Sequence, residues 1–422
     1  MLLALAAPGL AVLPAARAQA PPGLDATVAP IYRQLAALKG LATAGAPPSL
    51  VVRGRAETRR FIEGELTRRY SPARLEAERK SMVAWGLIPA DYDLRRLFLD
   101  LMEEQISAYY DPHAKVMVVG DWLSPAEQQA ALLHELVHAL QDREIPLDTF
   151  LAPTTGQGDR ILARQALIEG EAVGMMVDVL MRAAGADLTS LPDVTALRGQ
   201  IVAGSLGPVI QRAPAFLRDL LLFPYVEGLA FIHQWRQRNP WSAIGDLYRD
   251  PPRSSAQILH PEKRLGARQD PIAVALPDLD PLLPGLRLVT EDEMGEFGLG
   301  AVLGLHLGEA EGRRAAAGWR GDRFRVWEDA QGRFVIVCVI AFESERAANV
   351  LALSLTGVVE RRHPILARRG TPGAGALVTW QEAGRAFAVE KRGAEVLLLE
   401  QAPAATADRV REAVWRGRGA AP

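Results

Sequence analysis

The stretch "SPAEQQAALLHELVHALQDR", Ser124 to Arg143, decides how the rest of the chain is read. Ser124 followed by Pro125, with Glu127 three residues on, is a helix start. The serine caps, proline suits the first helical position, and the glutamate completes a capping box. The helix should run to about Asp142. Within it, Leu132, Leu133, Leu136, Val137, Ala139 and Leu140 surround the pentapeptide "HELVH", His134 to His138, as a buried helix requires. Residues i and i+4 project from one helical face, a turn apart. His134 and His138 can therefore grip one ion. Glu135 falls beside that ion rather than on it. A zinc ion so held lowers the pKa of its water toward neutrality, and a neighbouring carboxylate can take the proton.

A catalytic zinc takes three protein ligands and a water. A third histidine eleven residues after His134 would mark the metzincins, but residues 139–145 read "ALQDREI" and offer none. The next helical stretch, "ALIEGEAVGMM" (166–176), supplies two glutamates, Glu169 and Glu171. Between the two helices, "LAPTTGQGD" (151–159) reads as a loop.

"EGEA", Glu169 to Ala172, resembles the Glu-Gly-x-Ala helix of the gluzincins, the thermolysin-like and aminopeptidase-like zinc peptidases. The resemblance covers roughly residues 45–265. It assigns Glu169 as third ligand, with Glu171 in reserve. Gly170 is expected to let the two helices approach closely. It also implies one Zn2+ per chain, Glu135 as general base, and an antiparallel edge strand that pairs with a peptide or protein substrate through its main chain. The strand "KVMVV" (115–119) is the candidate for that edge. Tyr109 and Tyr110 just before it are expected to line the cleft or to pack in the core. Asp142, one turn after His138, is a candidate acceptor for its ring N–H, or else a surface carboxylate. The resemblance further requires an oxyanion donor, a histidine in thermolysin-like enzymes and a tyrosine in the aminopeptidases. "FPYVEGLAFIHQW" (223–235) offers Tyr225 and His233. "PPRSSAQILHPEK" (251–263), similar to stretches in bacterial HExxH proteins, offers His260. His260 is the first choice and Tyr225 the second.

Outward from this centre the fold class reads as α+β. A mainly helical zincin-like catalytic domain with a small N-terminal sheet is expected over 21–265. A proline-spaced linker follows at 266–290, and a C-terminal α+β module occupies 291–422. Helices are expected at 195–220 and 222–238. In the C-terminal module "GDRFRVWED" and "RFVIVCVIAF" read as strands, and "SERAANVLALSLTGVV" as a helix.

Composition bounds the function. The chain has 422 residues, 49% hydrophobic and 23% charged, with a net charge of −2. No basic block supports a nucleic-acid surface. The one cysteine, Cys338, excludes an intrachain disulfide, so metal ligands must come from His, Asp or Glu. Residues 1–20, "MLLALAAPGLAVLPAARAQA", read as a signal peptide ending in an A-x-A pattern. A secreted or periplasmic protein follows, or one anchored only at its N-terminus, with no further membrane span. The function expected is zinc-dependent hydrolysis of peptide bonds. The alternative is a zinc-stabilised binding or assembly protein without turnover, which would have no need of Glu135.

Overall fold

The 20-residue helix that carries HELVH begins where its capping residues place it. In the computed structural model, which describes residues 24–41, 45–105, 108–182, 184–205, 207–364, 367–369, 377–416 and 418, Glu127 Oε2 accepts from the Ser124 amide at 2.7 Å. Ser124 Oγ accepts from the Glu127 amide at 3.4 Å. The stretch read as a signal peptide lies outside the described residues. Preceding this helix are α1 (Leu24–Leu38), β1 (Ser49–Arg53), α2 (Arg55–Arg69), α3 (Pro72–Ala84), α4 (Leu94–Gln105), β2 (Ala108–Asp111) and β3 (Val116–Gly120). The HELVH helix itself is α5 (Pro125–Glu144). It stops at Ile145, whose extended backbone is what a residue before proline prefers.

β1, β3 and β2 form a three-stranded sheet in that order. β1 runs parallel to β3, and β2 antiparallel to it. The strand "KVMVV" is therefore central, not the edge expected of it. Its continuous apolar run is the sign, because Met117, Val118 and Val119 are all buried. The open edge beside α5 belongs to β2. Asp111 turns the hairpin: its Oδ1 accepts from the amides of His113 (2.9 Å) and Ala114 (3.0 Å).

After α5 come the short α6 (Leu147–Phe150) and the 25-residue α7 (Gly158–Arg182), almost wholly buried as far as Asp178. The helix expected over 195–220 is instead three: α8 (Thr195–Ser205), α9 (Pro208–Arg212) and the start of α10 (Ala215–Arg236). The breaks fall before Pro208 and Pro214, since proline drives its predecessor out of the helical region. The break expected near 221 does not occur. Then follow α11 (Gly245–Arg249), α12 (Ser255–Leu259) and α13 (Glu262–Leu265).

Residues 266–286 contain no strand and a single 3-10 turn at Asp280–Leu282, and β4 (Arg287–Asp292) starts inside the stretch read as a linker. Val274, Leu276, Leu279 and Leu283 within it are buried. The remaining elements are α14 (Gly295–Leu307), α15 (Glu309–Ala316), β5 (Trp319–Glu328), β6 (Phe334–Phe342), α16 (Glu345–Arg362), β7 (Ala367–Arg369), β8 (Leu377–Glu382), β9 (Arg385–Arg392), β10 (Glu395–Pro403) and α17 (Ala407–Arg416). Their strands make an antiparallel seven-stranded sheet in the order β4-β5-β6-β10-β9-β8-β7. Alternation along β6 divides two cores. Val335, Val337 and Val339 face α17 through Val410 and Val414. Ile336, Cys338 and Ile340 join the large core that also holds Leu136 of α5. Trp85 meets Phe324 edge to face, with ring centroids 5.5 Å apart, at this continuity. The α+β class read from the sequence is the class of the fold. Among the described residues no helix is long and apolar enough to cross a membrane.

Candidate metal centre

His134 and His138 lie one turn apart on α5, and α7 crosses them with Glu169. His134 Nε2 is 3.2 Å from Glu169 Oε2, His138 Nε2 is 3.5 Å from it, and the two Nε2 atoms are 3.1 Å apart. These three residues are the one group among the described residues whose His, Cys, Asp or Glu donor atoms converge as a metal requires, all within 4.8 Å. His134, His138 and Glu169 are 2%, 8% and 3% exposed. Burial by itself would raise the Glu169 carboxyl, but the two imidazoles beside it hold it down at about 2. Burial would lower His138, and the Glu169 charge raises it instead, to about 9. Two imidazoles and an ionised carboxylate, buried around one point, match the three-ligand donor set of a catalytic zinc. The residues present fit the metal that the spacing implies.

Glu135, 2% exposed, points toward β2. Its Oε2 accepts from the Tyr110 amide at 3.0 Å, which ties the carboxylate to the open sheet edge. Tyr225 reaches the centre from α10. Its ring centroid is 6.3 Å from that of His134. Burial, the charges of Glu169 and Glu135, and a hydrogen bond to Glu169 push its hydroxyl well above the usual range. The hydroxyl therefore stays protonated and available as a donor.

Gly170 does permit a close approach, but to α10 rather than to α5. A Cβ on Gly170 would stand 2.3 Å from the Gly228 carbonyl, and one on Gly228 would stand 2.2 Å from the Ala166 oxygen. Gly170 lies about 100° round the helix from Glu169, so it faces a different neighbour.

The other candidates have other partners. His260, the first choice as oxyanion donor, ends α12, and its Nε2 bonds Glu296 Oε1 at 2.6 Å. It lines a cavity of about 870 Å³ with Phe216, Phe223, Leu259, Glu296 and Phe297, a lining that includes none of the three candidate ligands. The reason is chain geometry. Cavity residues Phe223 and Val226 flank Tyr225 on α10, and their side chains point away from the one turned to His134. His233 bonds the Leu191 carbonyl at 3.0 Å. Asp142 accepts from the Tyr110 hydroxyl (3.0 Å) and the Leu147 amide (3.1 Å) and pairs with Lys115. The acceptor for His138 is instead Gln141, with Nδ1 and Oε1 2.7 Å apart. The sequence offered a signal for Gln141, since i+3 shares the face of His138. Tyr109 packs in the core, stacked on Phe61 with centroids 4.2 Å apart. Glu171 does not converge with the histidines. It receives Lys39 Nζ at 2.7 Å, Gln141 Nε2 at 2.9 Å and the Tyr248 hydroxyl.

Residues 90–184, which contain α5, α7 and all three candidate ligands, match a peptidase family model (M78) described as the IrrE N-terminal-like domain. Residues 285–411 match a domain of unknown function, DUF8575. No curated protein and no solved structure matches the chain.

Proposed function

We propose that the protein is a zinc-dependent peptidase of the gluzincin type, with one Zn2+ held by His134, His138 and Glu169. The observation that carries this reading is the convergence of those donors within 4.8 Å, beside Glu135 and beneath Tyr225. The peptidase-family match over the same residues supports it. Bound there, zinc would polarise the scissile carbonyl and lower the pKa of a water. Glu135 takes a proton from the attacking water, whose oxygen bonds to the carbonyl carbon. The Tyr225 hydroxyl donates to the oxyanion that develops. The C–N bond then breaks, and Glu135 returns the proton to the departing amine. β2 lies against Glu135 through the Tyr110 amide, so a peptide added along that edge brings its main chain to the base.

A second reading, a zinc-stabilised binding protein without turnover, is favoured by the enclosure of the centre, where no ligand exceeds 8% exposure. Glu135 separates the two. Metal analysis should find one zinc per chain, and His138→Ala should lose it. Glu135→Gln should keep the zinc and lose roughly 100- to 10,000-fold of the cleavage of an unbiased peptide library, the range of a positioned general base. Zinc binding by a wild-type protein that cleaves nothing in that library would establish the second reading.

A further inference from the structure

Glu171 and Lys39 are both buried, at 0% and 2% exposure, and the peptidase chemistry uses neither. They are joined to His138 by a chain of hydrogen bonds whose direction can be worked out. Gln141 Nε2 lies 2.9 Å from the Ile168 carbonyl and 2.9 Å from Glu171 Oε2. A carbonyl and a carboxylate only accept, so both positions demand the NH2 end of the amide. Rotated by half a turn, Gln141 would set its oxygen against two acceptors in a dry interior, the costly arrangement for buried polar groups. Its Oε1 is thereby committed to His138 Nδ1, 2.7 Å away. An oxygen there requires an N–H on Nδ1. In the neutral imidazole Nε2 then carries the lone pair, and Nε2 is the atom that faces His134 and Glu169.

The far end of the chain holds the Glu171 carboxylate in place. Lys39 Nζ stands 2.7 Å from its Oε1, and the Tyr248 hydroxyl donates to its Oε2. Lys39 also lies 3.2 Å from the Tyr248 oxygen and pairs with Glu144. Glu171 with three donors is a fixed acceptor. Glu171 also lies about 200° round α7 from Glu169, so it does not converge with the histidines.

We infer that Gln141, held in one orientation by Glu171 and anchored through it to Lys39, is a positioning residue that fixes His138 as the Nδ1–H tautomer with Nε2 free for the metal. The inference rests on the zinc-site reading. It places Lys39, more than a hundred residues before Glu171, in control of a ligand it does not touch.

The test begins with the zinc-loaded wild-type chain. Nitrogen-15 NMR of its histidine rings should show His138 protonated at Nδ1 and bound through Nε2. Binding through Nδ1 would overturn the inference without any variant. Gln141→Leu should weaken zinc binding roughly 10- to 100-fold, the range for losing an outer partner of a ligating histidine. Glu171→Leu should do the same. Glu171→Gln, which still offers an oxygen to Gln141, should recover most of the affinity. An unchanged zinc affinity in Gln141→Leu, while His138→Ala abolishes binding, would overturn the relay and leave the metal site standing. A wild-type chain that binds no zinc would overturn both.

Discussion

Gly170 of α7 and Gly228 of α10 meet backbone to backbone, with no room for a side chain on either. A Cβ on Gly170 would lie 2.3 Å from the Gly228 carbonyl carbon. Three residues before Gly228 on the same helix is Tyr225, and one residue before Gly170 is Glu169. The contact therefore sets how near a hydroxyl on α10 comes to a carboxylate on α7. Gly228→Ala should cost about 1–3 kcal/mol, the range for overpacking a close-packed contact, despite alanine's better helix propensity. Thermal unfolding of the variant measures this. A melting temperature at or above wild type would show that the helices separate freely.

Tyr225→Phe removes one donor and leaves the ring that packs by His134. Zinc binding should persist, while cleavage falls roughly 100- to 1,000-fold, as on loss of an oxyanion donor. Parallel metal analysis and turnover decide the matter. Full activity in the variant would assign the oxyanion to another group.

His260 is raised from its ordinary 6.5, first by its hydrogen bond to Glu296, against the opposing effect of burial. A group whose folded pKa lies above its unfolded value adds stability that is full below 6.5 and is lost as pH rises through the folded value. Wild type should therefore lose stability upward from 6.5, and His260→Asn should flatten that part of the profile. Urea unfolding across the neutral range measures it. Zinc-loaded His260→Asn should keep wild-type turnover, in contrast to Tyr225→Phe.

Arg362 of α16 joins the C-terminal sheet to the helical part of the chain. It holds buried Glu400 of β10, with Nη1 to Oε2 at 2.9 Å, and donates to the Ala84 carbonyl of α3 at 2.6 Å. With Trp85 against Phe324 in the same core, the chain should unfold in one transition, coincident by fluorescence and circular dichroism. Arg362→Met leaves the Glu400 charge buried and should cost about 3–5 kcal/mol. Two separated transitions in wild type would instead support the independent C-terminal module expected from sequence.

Local features were the legible ones. Ser124, Pro125 and Glu127 announce α5 because capping is a contact among neighbours. The i, i+4 spacing brings His134 and His138 to one point on any helix. The turn of the β2–β3 hairpin is local too, because Asp111 accepts from the amides two and three residues on. The position of "KVMVV" within its sheet was not, because β1, which covers its second edge, pairs with it from far away in the chain. The position of His260 was hidden for a related reason. Nothing along the chain says which face of α10 turns to His134, and His260 borders the cavity on the side away from Tyr225.

By itself the sequence determined a buried, capped helix with two imidazoles and a carboxylate in fixed phase, because helical periodicity is a property of the backbone. Tertiary structure alone decided that Glu169 and not Glu171 converges with them, that Tyr225 and not His260 lies beside His134, and that Gln141 and not Asp142 stands at His138 Nδ1. Each of those choices depends on which face of one helix meets another. That is settled by packing, here by a pair of glycines, over separations that no local pattern spans.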